Sequence, residues 1–88
     1  MRNESVNAGL DPDKVEAVIQ CESQFDKDAV GDHGNSYGLV QIYLPANPSI
    51  SKEEALDPFF SINFLLTEWK LGRGHLWTCY RLLGYDSP

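Results

Sequence analysis

The stretch that decides the fold runs from residue 18 to residue 43 and reads VIQCESQFDKDAVGDHGNSYGLVQIY. It begins in an apolar segment with helical spacing and continues into residues rich in Asp, Gly, Asn and Ser. Such a composition is typical of an irregular loop, which we expect over Phe25 to Leu39. The apolar run from Leu39 to Leu44 then predicts a short strand or hairpin arm.

Upstream of the loop, Asp11-Pro12 forms a helix-start signal, because Asp can cap and Pro suits the first turn. The side chains that then recur at helical spacing are Val15, Val18, Ile19 and Glu22. A carboxylate on an apolar face loses hydration, so its pKa rises and it can act as an acid near neutral pH. Glycosidic bond cleavage needs such a proton donor. The alternative is an exposed glutamate without a role at the helix end.

Further helices are predicted downstream. Ser51 to Glu54 is a capping-box pattern that opens a short helix ending near Leu56. Asp57-Pro58 starts another helix, which runs to about Leu71. Its expected inward residues are Phe59, Ile62, Leu65, Leu66 and Trp69. A last helix covers His75 to Leu83, and a weak pattern over Met1 to Gly9 suggests a first one. The fold class is therefore mainly α, with a single domain spanning residues 1–88.

The composition excludes several classes of function. The net charge is −6, which argues against a nucleic-acid partner and against an anionic membrane surface. No apolar run is long enough to span a bilayer, and Met1 to Leu10 does not resemble a signal peptide. The two cysteines and two histidines lack the spacing of metal ligands. We expect neither a metal nor another cofactor, whereas a neutral sugar polymer remains a suitable partner.

The segments Cys21-Glu22-Ser23 and Gly31 to Ile42 together resemble the signature of lytic transglycosylases and goose-type lysozymes. In that pattern a helix ends in Glu-Ser, and a Gly-Leu-x-Gln-hydrophobic segment follows after a loop. The resemblance extends from about Leu10 to Tyr80 and includes the stretch from Ala55 to Asn63. It implies a small lysozyme-like helical domain of the SLT type, with an irregular loop or short β-hairpin beside the catalytic helix.

The resemblance also implies roles for individual residues. Glu22 is the general acid and then the general base, Ser23 fixes the start of the loop, and Tyr80 hydrogen-bonds the catalytic carboxylate. The segment from Gly38 to Gln41, which includes Leu39, forms the floor of the sugar groove, and Gln41 contacts the substrate. Tyr37 is a further substrate-binding residue. The alternatives are a tight turn and core contact at Gly38 and Leu39, a solvated strand residue at Gln41, and core packing for Tyr80. Trp69 and Trp77 either stack on sugar rings or belong to the core.

The chain departs from the family pattern near its C-terminal end. Arg81 replaces the asparagine that follows the family's tyrosine, and the next glycine is displaced to Gly84. These changes affect the expected contacts at that end of the groove and leave Glu22 untouched.

The second carboxylate decides the reaction. Glycoside hydrolases usually need two carboxylates, whereas the resemblance implies that lytic transglycosylases use one. In that reaction the muramic acid C6 hydroxyl attacks the anomeric carbon, and a 1,6-anhydro ring forms. Asp32 is the competing carboxylate, since the goose-type pattern places a water-positioning Asp there. The next acidic position of that pattern is Tyr43 here. The alternative for Asp32 is a turn former beside glycine.

Cys21 precedes Glu22, and Cys79 precedes Tyr80. If Glu22 and Tyr80 meet in the groove, the two cysteines are also close and can form a disulfide. Two buried free thiols are the alternative.

Three functions remain open. The first is a monomeric lytic transglycosylase acting on peptidoglycan outside the cytoplasm, in the periplasm, in the medium or delivered by a phage. The second is a hydrolytic muramidase with Asp32, and the third is a glycan-binding module without activity.

Overall fold

The computed structural model describes residues 5–6 and 9–85 of the chain. Four α-helices lie within residues 9–85: α1 (Pro12–Ser23), α2 (Lys52–Leu56), α3 (Pro58–Lys70) and α4 (Thr78–Leu82). Three two-residue strands form the sheet: β1 (Val30–Gly31), β2 (Ser36–Tyr37) and β3 (Ile42–Tyr43). The predicted mainly α class is confirmed. The helix expected over Met1 to Gly9 falls largely outside the described residues, although Ser5 and Val6 are helical.

Three of the four helices within residues 9–85 begin at capping residues, as predicted. Asp11 accepts a hydrogen bond from the N–H of Asp13 at 2.9 Å. Ser51 and Glu54 form the reciprocal capping box at the start of α2, and Asp57 accepts from the first N–H groups of α3. Each cap stabilises its helix by about 1 kcal/mol. These local signals fix where the polypeptide turns between helices.

The loop predicted over Phe25 to Leu39 contains two strands, so that prediction was wrong in part. The sheet has the order β1-β2-β3 and is antiparallel throughout. The strand expected over Leu39 to Leu44 is limited to Ile42–Tyr43. Gly38 and Gln41 have positive φ values of 87° and 53°, and this conformation turns the backbone before β3 begins. The hairpin beside α1 is thus a small three-stranded sheet.

The hydrophobic core joins the apolar face of α1, the end of the sheet and the middle of α3. Its fully buried aliphatic side chains are Val15, Val18, Ile19, Val40, Ile42 and Leu65. The inward orientation predicted for Phe59 was wrong, because this side chain is 74% exposed. Phe59 lies in the first turn of α3, and the buried residues of that helix begin only at Ser61.

The helix expected over His75 to Leu83 is divided at Trp77. A 3-10 turn covers Gly74–Leu76, Trp77 is extended, and α4 begins at Thr78. The Trp77 indole N–H donates to the carbonyl oxygen of Val40 at 2.7 Å. This contact fixes Trp77 against the sheet side of the molecule, where a continuous helix would not place it.

A disulfide connects α1 to α4 through Cys21 and Cys79, whose Cα atoms are 5.9 Å apart. Cys79 is buried and Cys21 is exposed. The cross-link holds the C-terminal turn of α1 beside the N-terminal turn of α4. It therefore fixes the backbone immediately before Glu22.

Candidate active site

One groove of about 530 Å³ lies beside the end of α1, and its volume is within the range of ligand sites, roughly 300–1,000 Å³. Its walls come from α1, the sheet, α3 and the segment that leads into α4. The polar residues that line it are Glu22, Asp32, Ser36, Gln41, Asn47, Glu68 and Thr78. Its larger apolar and aromatic residues are Ile42, Tyr43, Phe64, Leu76 and Trp77.

Glu22 is half-buried in the last turn of α1 and lines this groove. Its Oε2 accepts a hydrogen bond from the backbone N–H of Cys79 at 3.4 Å. Burial raises the pKa of Glu22, and the charge of Asp32 raises it further, while the Cys79 N–H acts in the opposite direction. A carboxyl group with a raised pKa keeps its proton to higher pH, so it can serve as a general acid.

Ser23 connects the end of α1 to the loop before β3. Its buried hydroxyl donates to the carbonyl oxygen of Leu39 at 2.6 Å and lies 3.3 Å from that of Ile19. Leu39 itself is 8% exposed and belongs to the core. The hydrogen bond between Ser23 and Leu39 therefore holds the turn from Gly38 to Gln41 close to the end of α1, next to Glu22.

Gln41 lines the groove and is fixed by hydrogen bonds to the backbone. The side-chain amide of Gln41 donates to the carbonyl oxygens of Gly38 and Ala29 at 2.9 and 3.1 Å. Its Oε1 faces Gly31, where a Cβ would collide with it. Both donor positions are thus used within the protein.

Gly38 is required by its backbone and by its surroundings. Its φ is 87°, and a Cβ there would meet the carbonyl oxygen of Ala55. We expect Gly38→Ala to destabilise the domain by roughly 2–4 kcal/mol, from left-handed strain plus the collision. Gly34→Ala is the matched control, since Gly34 has a φ of 89° but open space around it. It should cost about 1 kcal/mol. Urea unfolding of both variants measures the difference, and equal losses would contradict the steric account.

Asp32 lies in the same groove with an exposed carboxylate. Its Oδ2 accepts a hydrogen bond from the buried Ser36 hydroxyl at 2.5 Å. Asp32 has a φ of 50°, a conformation that Asp tolerates better than most residues. The structure thus gives this residue a turn-forming conformation and also places it in the groove with Glu22.

Tyr80 and Tyr37 lie outside the residues that line the groove. Within the described residues, Tyr80 forms no hydrogen bond with Glu22, contrary to the prediction. The backbone N–H of Cys79 donates to the Glu22 carboxylate instead. The Tyr80 ring packs edge-on against Trp69 at 4.9 Å, as the core alternative expects. Because Cys79 faces α1, the adjacent side chain points elsewhere. Tyr37 donates to the carbonyl oxygen of Gly34 at 2.5 Å.

Of the two tryptophans, Trp77 lines the groove and Trp69 packs in the aromatic cluster with Tyr80. Trp77 is only 7% exposed, so most of its surface belongs to the core.

The sequence interpretation assigned no binding role to Tyr43, Phe64 or Glu68, all of which line the groove. Spacing offered a signal for two of them, since Phe64 and Glu68 are four residues apart and share one face of α3. Tyr43 directly follows the Gly-Leu-x-Gln-hydrophobic segment. Its position next to that segment could have indicated that Tyr43 lines the groove.

Within residues 5–6 and 9–85, no three His, Cys, Asp or Glu side chains come together as ligands for a metal ion. In the same part of the chain, none of the helices combines the length and apolar character needed to cross a membrane.

The fold and the groove define a lysozyme-like domain with one half-buried glutamate at the end of a helix. Residues 1–66 match the family model described as "Transglycosylase SLT domain", and the chain therefore belongs to this family. The resemblance to SLT-type lytic transglycosylases is confirmed over this range, and the family acts on peptidoglycan. No curated protein and no solved structure gave a significant match. The matched segment includes Glu22, Asp32 and the sheet, and ends before Cys79.

Proposed function

We propose that this domain is a lytic transglycosylase that cuts the β-1,4 bond between N-acetylmuramic acid and N-acetylglucosamine in peptidoglycan. The observation that carries the proposal is Glu22, a half-buried carboxyl with a raised pKa in the groove of an SLT-family domain. The groove is formed within one chain, which is consistent with action as a monomer. Because the substrate is the cell wall, we propose that the domain works outside the cytoplasm.

In the proposed reaction Glu22 first donates its proton to the glycosidic oxygen as the bond to the anomeric carbon breaks. The C6 hydroxyl of the muramic acid then attacks that carbon, and its proton passes to the Glu22 carboxylate. The N-acetyl group assists the substitution. The product carries a 1,6-anhydro ring, Glu22 is protonated again, and no water is consumed.

Mass spectrometry of soluble products from purified peptidoglycan tests the proposal. Products with 1,6-anhydromuramic acid ends, one water lighter than reducing-end sugars, are the expected result. Reducing-end products would overturn the transglycosylase and favour a muramidase. The absence of soluble products from folded protein, with an active control enzyme, would favour a glycan-binding module.

The muramidase is the second candidate because Asp32 shares the groove with Glu22. A hydrolase would use that carboxylate to position water, as the second carboxylate of glycosidases does. In the transglycosylase, Asp32 contributes mainly through its charge.

The substitution Asp32→Asn separates the two candidates through its pH dependence. The charge of Asp32 raises the pKa of Glu22, so removing that charge should lower the pKa. The protonated general acid is then lost at lower pH, and the alkaline limb of the rate profile moves toward acid pH. We expect activity to persist below that limb in a transglycosylase. A hydrolase would lose activity at every pH.

Asp28→Asn is the matched control, because Asp28 is exposed, pairs with Lys27 and does not line the groove. Its pH–rate profile should coincide with that of the unmodified protein. A pH profile for Asp32→Asn that also coincides would contradict the coupling between the two carboxylates.

A further inference from the structure

Tyr43 is a large side chain that the fold leaves exposed in the groove. It lies in β3 opposite Ser36, and both residues line the groove. The preceding residue, Ile42, is 1% exposed, whereas Tyr43 is 45% exposed. The carbonyl oxygen of Tyr43 accepts a hydrogen bond from Asn47 Nδ2 at 2.8 Å, which fixes the backbone from which the ring projects.

The other three tyrosines have structural partners. Tyr37 donates a hydrogen bond and lies under the Lys52 ammonium, while Tyr80 and Tyr85 pack with Trp69. Within the described residues, the Tyr43 ring has no aromatic or cation–π partner and its hydroxyl has no hydrogen bond. Buried or paired tyrosines contribute to folding. The Tyr43 ring makes none of these pairings and is 45% exposed, so part of its surface is available to a ligand.

A second apolar side chain of the groove lining is also exposed. Leu76 lines the groove and is 61% exposed. Phe64 and Trp77 line it too, but their rings pack edge-on against each other at 5.8 Å; Phe64 is half-buried and Trp77 is buried. Within the described residues, Tyr43 and Leu76 are therefore the large apolar side chains that both line the groove and are exposed.

We propose that Tyr43 is a substrate-binding residue that stacks on the apolar face of an N-acetylhexosamine ring of the glycan strand. This inference rests on the proposed function and adds a sugar contact to the same groove. A pyranose ring presents C–H groups on its faces and hydroxyl groups at its edges. The flat phenol ring fits the faces, while Asn47 and Gln41 offer polar groups to the edges. These contacts would hold the glycan strand so that its scissile bond lies beside Glu22.

Two measurements test the contact. The first is binding of the β-1,4-linked tetramer of N-acetylglucosamine to Tyr43→Ala, made in a Glu22→Gln protein that cannot cleave it. We expect its affinity to fall about tenfold, and Tyr43→Trp to retain it. The second is cleavage of soluble peptidoglycan strands with Glu22 intact. There, Tyr43→Ala should raise KM about tenfold and leave kcat nearly unchanged, as loss of uniform binding predicts.

Phe59→Ala is the matched control, because Phe59 is 74% exposed and lies outside the groove lining. It should change neither measurement. Unchanged tetramer affinity in Tyr43→Ala would overturn the sugar contact, and a raised KM alongside it would assign Tyr43 to the stem peptide instead. Tetramer binding that depends on Tyr43 without any cleavage by the unmodified protein would overturn only the proposed function. If the unmodified protein neither binds the tetramer nor cleaves peptidoglycan, the sugar contact and the proposed function are both overturned.

Discussion

Replacing Glu22 with glutamine should lower the rate of peptidoglycan cleavage by about 100- to 10,000-fold, the usual contribution of a general acid–base residue. Glutamine has the shape of the protonated acid but cannot deliver a proton to the leaving oxygen. It can still occupy the space beside the Cys79 N–H, to which Glu22 is hydrogen-bonded. The measurement is the release of soluble muropeptides over time from purified peptidoglycan.

The same substitution carries its own test of folding. Because the pKa of Glu22 is raised in the folded protein, ionisation of this residue opposes folding. This cost is absent below the unfolded-state pKa and fully present once the pH exceeds the folded-state pKa. We therefore expect Glu22→Gln to melt at a higher temperature than the unmodified protein at pH 7 and at about the same temperature near pH 3.

The substitution Glu16→Gln supplies a comparison on the same helix, because Glu16 lies outside the groove lining. It should retain cleavage activity. Full activity in Glu22→Gln would remove Glu22 from the mechanism. A low melting temperature in that variant at pH 7 would instead attribute any loss of activity to misfolding.

The helices were predictable from sequence because their signals are local. Asp11, Ser51 and Asp57 cap the helices that follow them, and each contact involves residues within three positions. The apolar spacing of α1 also placed Val15, Val18 and Ile19 in the core. Capping and periodicity depend on the chain immediately around them, so a single sequence contains the information.

The remaining errors concern pairing and packing that capping residues and apolar spacing do not identify. The two strands within the predicted loop form because Val30 and Gly31 pair with residues beyond a tight turn. The break at Trp77 follows from its hydrogen bond to Val40, which lies 37 residues earlier. No residue near Trp77 in the sequence indicates that its indole binds Val40. The orientation of Phe59 was wrong for a related reason. Periodicity identifies the apolar face of a helix but not the turn at which other segments begin to pack against that face.

The sequence predicted the reactive residues of the candidate site better than the residues that line the rest of the groove. Glu22 and Gln41 combine a meaningful residue type with a specific spacing, and both line the groove. Tyr80 was assigned a contact that the backbone of its neighbour Cys79 makes instead. Cys79 lies in the first turn of its helix, where backbone N–H groups lack partners within the helix. Phe64 and Glu68 enter the site only because α3 packs beside it, which depends on tertiary structure.

Removing the Cys21–Cys79 disulfide should have the largest effect on stability. The bond joins residues 58 positions apart. In the chain-entropy model, closing a loop of this length stabilises the fold by about 4 kcal/mol. Domains of this size have total stabilities of roughly 5–15 kcal/mol. We expect the double variant Cys21→Ser, Cys79→Ala to melt about 15–30 °C lower than the oxidised protein. Alanine is used at position 79 because Cys79 is buried.

Addition of a reducing agent distinguishes the cross-link from the side chains themselves. It should lower the melting temperature of the unmodified protein toward that of the double variant and leave the double variant unchanged. Cleavage should also decline at temperatures where both proteins remain folded, because the bond holds the Cys79 N–H beside Glu22. A melting temperature that does not respond to reduction would show that packing of α1 against α4 suffices. Loss of stability with full retention of activity would separate the disulfide from the positioning of Glu22.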